Sequence, residues 1–245
     1  MNLTIDIGNT CTKLVAFNGF DIIEELRING DEWYKLHDFC KKHRFENGIY
    51  STVVNIPDEK QMLLHELPFP VTQFIPGKTP IPINNLYETS NTLGADRLAA
   101  VLGAYYKKVG KNILVIDVGT CITFDFVTSE GNYLGGNISP GPILRFKALN
   151  AYTSRLPLVN NEGCTNLLGT TTETAIRNGV INGIKYEILG FVSELKKIYT
   201  DFAIYKTGGV DIDFGNCVDG IEYEVDNLIV SEGLNRILFY NLDKK

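Results

Sequence analysis

Leu114-Val115-Ile116-Asp117-Val118-Gly119-Thr120-Cys121-Ile122-Thr123 is the stretch on which the reading of the fold turns. An apolar, β-branched run ends on a carboxylate, a small-residue turn follows at Gly119-Thr120, and a second β-branched run opens. That order reads as two strands joined by a tight turn, where glycine lets backbone N–H groups approach an anion. The carboxylate beside such a turn suits a cation or its bound water rather than phosphate itself. The pattern also stands at the start of the chain, as Leu3-Thr4-Ile5-Asp6-Ile7-Gly8-Asn9-Thr10-Cys11-Thr12. One D-x-G turn with apolar flanks is common wherever a buried strand meets a turn. Two copies, each heading its half of the chain, point to duplicated domains facing each other across a nucleotide cleft, one loop for each end of a triphosphate.

This arrangement resembles the superfamily of acetate kinase, sugar kinases, Hsp70 and actin. The resemblance implies an α/β fold of two duplicated RNase H-like domains, the actin-like ATPase fold, around a nucleotide cleft. The N-terminal domain is expected over residues 1–92 with the first phosphate loop. The C-terminal domain is expected over 93–245 with a substrate motif and the second loop.

Composition narrows the function classes. The 245 residues are enough to bury about 70% of the unfolded surface, and a net charge of −6 argues against a nucleic-acid-binding face, which needs clustered basic charge. No apolar run approaches the roughly 18 residues that would span a bilayer. The start lacks the basic n-region of a signal peptide and Asp6 interrupts it, so a cytoplasmic protein is expected. The five cysteines, Cys11, Cys40, Cys121, Cys164 and Cys217, follow neither a disulfide nor a CxxC spacing. Cys11 and Cys121 lie in the two loop regions, where a redox or nucleophilic role competes with plain packing beside strands. His37, Cys40 and His43 share a broad helix face but lack a fourth ligand, so zinc is not expected there.

In chain order, Lys13 to Phe17 continues a strand that Asn18-Gly19 turns, and Ile22 to Ile28 reads as a third. A helix is expected over 31–45, with Asp31-Glu32 at its N-terminus. A strand over 48–54, a helix over 59–66 and a strand over 71–75 complete the order βββαβαβ of an RNase H-like domain. Residues 76–92 form a Pro- and Asn-containing connector that delivers Tyr87. Gly94-Ala95-Asp96-Arg97 then opens a helix on which Leu98, Val101, Leu102, Tyr105 and Val109 share a face. Asp96 in that first turn is either a partner of the helix dipole or a substrate group. Two opposite charges at a helix start can bind a hydroxyl and a carboxylate.

The second half repeats the strand order, over 113–118, 121–127 and 133–138. Gly135-Gly136-Asn137-Ile138-Ser139-Pro140-Gly141-Pro142 leads to a helix near 143–149, and is read either as a tight connector or as a backbone lining for phosphates. Thr170-x-x-Glu173 has the pattern of a capping box, starting a long helix with Ile176, Val180, Ile184, Ile188, Phe191, Leu195 and Ile198 in period. Gly179-x-x-x-Gly183 on it permits close packing between subunits or domains. Thr207-Gly208-Gly209-Val210-Asp211 is a strand-to-turn of the kind that cradles an adenosine, and a helix over 231–240 ends the fold.

Taken together, these motifs resemble type III pantothenate kinase over the whole chain. The resemblance rests on Asp6-Ile7-Gly8-Asn9-Thr10, on Gly94-Ala95-Asp96-Arg97 and on Asp117-Val118-Gly119-Thr120. Gly135-Gly136 with Pro140-Gly141, then Thr207-Gly208-Gly209, follow in the family order. It implies phosphorylation of pantothenate by ATP, the first step of coenzyme A biosynthesis. Asp6, Ile7, Gly8, Asn9, Thr10, Cys11, Thr12 and Lys13 would form the ATP loop, with Asp6 organising a magnesium shell and Thr120 also touching ATP. Asp96 would be the general base, and Tyr87, Gly94, Ala95 and Arg97 would hold pantothenate. Asp117 would bind a monovalent cation, potassium or ammonium. Thr172 would complete the pantothenate pocket across a subunit boundary, in a homodimer with a shared active site. No nucleic-acid or membrane partner is implied.

The chemistry agrees, because phosphoryl transfer needs positioning and charge neutralisation more than covalent catalysis. The chain departs from the family pattern at Ser51-Thr52-Val53-Val54-Asn55, where a proline is usual after the strand, and at Pro142, which is expected to lengthen the glycine loop. Two alternatives remain at this point: another small kinase or phosphatase of the superfamily, and a non-catalytic relative that regulates transcription.

Overall fold

The computed structural model describes residues 1–30, 32–215 and 217–244. The chain divides into two compact units, one of residues 1–110, 127–135 and 228–245, the other of residues 111–126 and 136–227.

The first unit begins with β1 (Asn2–Ile7), β2 (Cys11–Asn18) and β3 (Asp21–Asn29), then α1 (Tyr34–Lys42), β4 (Asn47–Thr52), α2 (Asp58–His65) and β5 (Val71–Gln73). This is the expected order βββαβαβ. The strands form one sheet, β3-β2-β1-β4-β5, antiparallel through the two hairpins and parallel between β1, β4 and β5. Alternation along β1 assigns its two faces. Leu3, Ile5 and Ile7 join Leu14, Ala16, Leu36, Phe39 and Leu64 in the core beneath α1 and α2. Asn2, Thr4 and Asp6 point the other way. Helix α1 is shorter than the expected 31–45: Trp33 is its N-cap and no acidic side chain stands in its first turn. The expectation for Asp31 lies outside the described residues.

After β6 (Asn84–Asn85) and a 3₁₀ turn at Ser90–Thr92 comes α3 (Ala95–Lys107). The last helix of the chain, α6 (Ile229–Leu242), also belongs to this unit, and the two helices pack together over the face of the sheet that bears Asn2 and Thr4. Their approach is backbone to backbone. A Cβ on Gly103 would lie 2.1 Å from the carbonyl oxygen of Ile229, and one on Gly233 would lie 1.8 Å from that of Ala99. The duplication was expected to divide the chain after residue 92, whereas packing groups α3 and α6 with the N-terminal strands. The close crossing also explains why α3 is buried almost all round, from Ala95 through Ala104 apart from half-buried Asp96, instead of along one stripe. Val109, expected on that stripe, lies beyond the helix and is exposed.

The second sheet has the order β11-β12-β10-β7-β8-β9-β6. Its strands are β7 (Ile113–Val118), β8 (Cys121–Val127), β9 (Asn132–Pro140), β10 (Ala203–Thr207), β11 (Cys217–Val218) and β12 (Ile221–Val225). Between β9 and β10 run α4 (Pro142–Ala151) and α5 (Thr172–Lys196). Leu114, Ile116 and Val118 face Ile176, Val180, Ile184 and Ile188 of α5 in one core. Ile113, Val115 and Asp117 point the opposite way, so each of the two motif carboxylates stands one residue before the end of its strand, on the face turned from its own unit's core.

Two local expectations need correction. Pro142 does not lengthen the glycine loop. It is the first residue of α4, with Gly141 as N-cap, a place where its missing N–H and fixed φ cost nothing. The cap of α5 is Thr171 with Thr174, not Thr170 with Glu173: the Thr171 hydroxyl accepts from the Thr174 N–H at 3.1 Å. Glu173 pairs instead with Arg177 one turn on, at 2.6 Å. Helix α5 stops at Lys196, which leaves Ile198 outside it and exposed.

Candidate active site

Residues of three strands meet in one row at the first loop. The register places Asp6 of β1 directly opposite Lys13 of β2 on one side and opposite Ser51 of β4 on the other. The buried Ser51 hydroxyl donates to Asp6 Oδ1 at 3.0 Å. Burial pushes the Asp6 carboxyl above its usual range, while the charge of Lys13 and the bond from Ser51 pull it back down. A desolvated carboxylate of this kind is stabilised in its charged form by any added cation. Mg²⁺ is commonly held by one or two carboxylates together with substrate phosphates, so Asp6 fits that ion. Among the described residues no group of three or more His, Cys, Asp or Glu converges as a metal cage.

The turn beyond Asp6 is closed by Gly8 N–H donating to the carbonyl of Cys11 at 3.1 Å. A Cβ on Gly8 would stand 3.3 Å from that oxygen, closer than side chains usually approach. Ile7 and Thr12 are buried, whereas Asn9 and Thr10 are exposed at the tip. The site therefore presents backbone and short polar groups, as an anion cradle requires.

The Gly94–Arg97 motif is built at the start of α3, in the same unit. Gly94 is the N-cap, and a Cβ there would lie 2.6 Å from Asp96 Oδ1. Glycine is needed because the carboxylate folds back over it. Asp96 Oδ1 accepts from the Arg97 N–H at 2.8 Å, so one oxygen serves the helix start. Arg97 is buried, and its guanidinium carbon lies 5.8 Å from the centre of the Tyr87 ring. Tyr87 in turn stacks on buried Tyr133 with ring centres 6.2 Å apart. Gly135, at φ +108°, makes room for it: a Cβ would be 3.1 Å from the ring. The structure thus brings together Tyr87, Gly94, Asp96 and Arg97 of the expected substrate set.

The second unit carries the other loop. Gly119 N–H donates to the Cys121 carbonyl at 2.9 Å, a turn one residue tighter than the first. Gly141 braces it from behind, its N–H 3.0 Å from the Thr120 carbonyl, and a Cβ there would be 2.2 Å from the Gly119 oxygen. Gly136 is pressed against the Phe124 carbonyl in the same way. Of the two readings of the Gly135–Pro142 stretch, these contacts support the close connector. Asp117 stands near the end of β7 opposite Thr207 of β10, with Gly208 packed on its carboxylate. Lys206, buried, fixes the loop after β10 through Asp211 at 3.0 Å and the Ile212 carbonyl at 2.7 Å. Thr172 is the first residue of α5.

Ser51 and Lys206 were not legible as site residues, and Gly208 was legible only as part of an adenosine turn, not as a neighbour of Asp117. Ser51 reaches Asp6 only through strand register, and a serine near the middle of an apolar run was the available signal. At the remaining cluster, His43 is 2.9 Å from Glu24 Oε2, and burial pushes the Cys40 thiol up to about 11. All five cysteines are free thiols. No helix among the described residues is long and apolar enough to cross a membrane.

A family model described as type III pantothenate kinase matches residues 2–194. The chain belongs to the type III pantothenate kinase family. Curated members similar to it include one from Bacteroides fragilis, 45% identical over 98% of both chains, and one from Phocaeicola vulgatus, 42% identical over 98% of this chain and 99% of the relative. Among solved structures, a chain from Campylobacter jejuni described as of the Baf family of transcriptional activators matches with TM-score 0.60 at 22% identity, over 98% of this chain and 99% of its own. The ROK hexokinase of Thermus thermophilus matches with TM-score 0.52 at 16% identity over 99% of both. At those identities the structures establish the fold, a duplicated actin-like ATPase fold shared with ROK kinases.

Proposed function

We propose that this protein is a pantothenate kinase, transferring the γ-phosphoryl group of ATP to the primary hydroxyl of pantothenate to give 4′-phosphopantothenate, the first step of coenzyme A biosynthesis. The observation that carries this reading is identity above 40% along essentially the full length of proteins named type III pantothenate kinase. The built motifs at Asp6, Asp96 and Asp117 support it.

In this reading Asp96 takes the proton from the pantothenate hydroxyl as its oxygen attacks the γ-phosphorus and ADP leaves. Proton transfer can be late, so an ordinary carboxylate is an adequate base. Arg97, Tyr87 and Gly94 hold and orient the acceptor. The turn from Ile7 to Thr12 supplies N–H groups to the phosphates, Lys13 supplies positive charge, and Thr120 contributes from the second loop. Asp6 would hold a divalent metal, Mg²⁺, which when bound would neutralise phosphate charge. Asp117 takes a monovalent cation, potassium or ammonium.

We place the protein in the cytoplasm, where ATP is available and its five free thiols stay reduced. We also read it as a homodimer whose Thr172 completes the partner's pantothenate pocket. Support comes from α5, where a Cβ on Gly179 would meet nothing of this chain within 4 Å and one on Gly183 only the end of Arg145. Tyr186 and Leu189 are exposed further along the same helix.

The test is coupled ADP release by the purified protein with and without pantothenate, in sodium and in potassium or ammonium salts. Turnover that needs pantothenate and Mg²⁺ and rises with potassium or ammonium is expected. A folded protein without pantothenate-dependent turnover in any of these salts would overturn the reading.

A further inference from the structure

Beside the first turn lies a cavity with two unlike walls. The turn itself, Ile7 to Thr12, lines part of it, and Trp33, Asn55 and Lys60 line another part. Lys60 is the one charged side chain among the residues lining it. Its Nζ lies 5.1 Å from the centre of the Trp33 ring and donates to the Gly30 carbonyl at 3.3 Å. Among the described residues these two are its partners, and neither is a carboxylate. Trp33 is buried, while Lys60 is half-exposed, so the amine can leave the ring without opening the core. An ammonium with no carboxylate partner among the described residues, lining the same cavity as a glycine turn, can supply part of an anion site.

We infer that Lys60 is a contact for the polyphosphate of the nucleotide, closing on it together with the Gly8–Cys11 turn and giving up the Trp33 ring and the Gly30 carbonyl to do so. The inference rests on the reading of that turn as the ATP loop. A lysine suits the task because its ammonium is a compact charge on a flexible stem, able to move from ring to phosphate. The competing role is a structural cover for Trp33.

Trp33 is the sole tryptophan of the chain, so its emission reports this wall alone. Titrating the wild-type protein with Mg-ATP, and separately with Mg-tripolyphosphate, should change that emission saturably for both. Lys60→Met keeps the apolar stem over the ring and removes the charge. It should lose most of the emission change and raise KM for ATP about ten-fold, with KM for pantothenate and the thermal midpoint unchanged; Lys60→Arg should recover most of the ATP affinity. An unchanged ATP KM in Lys60→Met, or a wild-type enzyme that turns over while Trp33 emission stays flat, would overturn the inference. A response to ATP but none to tripolyphosphate would also overturn it, by placing the contact on the nucleoside. If Lys60→Met loses its fold, Lys60→Gln carries the same comparison. Should the wild type respond to both ligands yet fail to phosphorylate pantothenate, the contact stands and the assigned acceptor falls.

Discussion

Gly208 stands against Asp117 so closely that a Cβ on it would lie 2.6 Å from Oδ1 of the carboxylate and 2.3 Å from the carbonyl oxygen of Val118. Its φ of +108° belongs to the region where side chains are strained. Gly208→Ala should therefore displace Asp117 as well as the loop after β10. Turnover should fall at least about ten-fold, and the potassium or ammonium concentration for half-activation should rise. Cation titrations of the activity at saturating ATP check this; a variant with unaltered cation response would separate Asp117 from the monovalent site.

Asp96 has two roles that one substitution can divide. Its Oδ1 accepts from the Arg97 N–H, and the amide oxygen of asparagine can do the same. Asp96→Asn thus keeps the helix start while removing the base. The kcat should fall roughly 10²-fold or more, with ATP binding and thermal midpoint nearly intact. Retention of most of the wild-type kcat would mean that Asp96 only supports the first turn of α3.

Burial raises the Asp6 carboxyl above its ordinary value of 3.8. Folding therefore favours the protonated form, so the contribution of Asp6 to stability is greatest below the unfolded value and is lost as pH rises through the folded one. Asp6→Asn removes that loss. The variant should be more stable than wild type near pH 7 and lose its advantage at or below about pH 4, while turnover disappears. Urea midpoints at the two pH values measure the difference. A variant less stable than wild type at neutral pH would show that attraction to the Lys13 charge and the Ser51 bond outweigh desolvation.

Sharing of the site between subunits can be tested by complementation. Asp96→Asn lacks the base, and Thr172→Arg blocks the pocket into which α5 would reach. In a mixed dimer one site carries both lesions and the other neither. With random exchange about half the dimers are mixed, so activity should recover toward roughly a quarter of wild type, a figure that follows from two-fold symmetry. Exchange is confirmed by tag pull-down. If exchange occurs and the mixture stays inactive, each site is completed within one chain.

The sequence determined the strands and the motifs because these depend on neighbours in the chain. Alternation and β-branching marked β1, β2, β7 and β8, and the repeated aspartate–glycine turn marked the duplication. Gly94–Arg97 was legible at the head of α3 since a helix start is a local event. Helix ends were less so. Thr170 and Thr171 both offer a capping hydroxyl, and which one caps depends on where α5 meets its own core.

Tertiary structure decided what lies side by side without being near in sequence. Ser51 is 45 residues from Asp6 and reaches it only because β4 pairs with β1 in a particular register. Helix α6 joins the N-terminal unit because Gly103 and Gly233 let two backbones touch, and no periodicity announces which helix a glycine admits. The rise of the Asp6 carboxyl, the contact of Gly208 with Asp117 and the placing of Lys60 over Trp33 arise in the same way. Desolvation and close packing are properties of the filled space around a group, and that space is set by the whole fold.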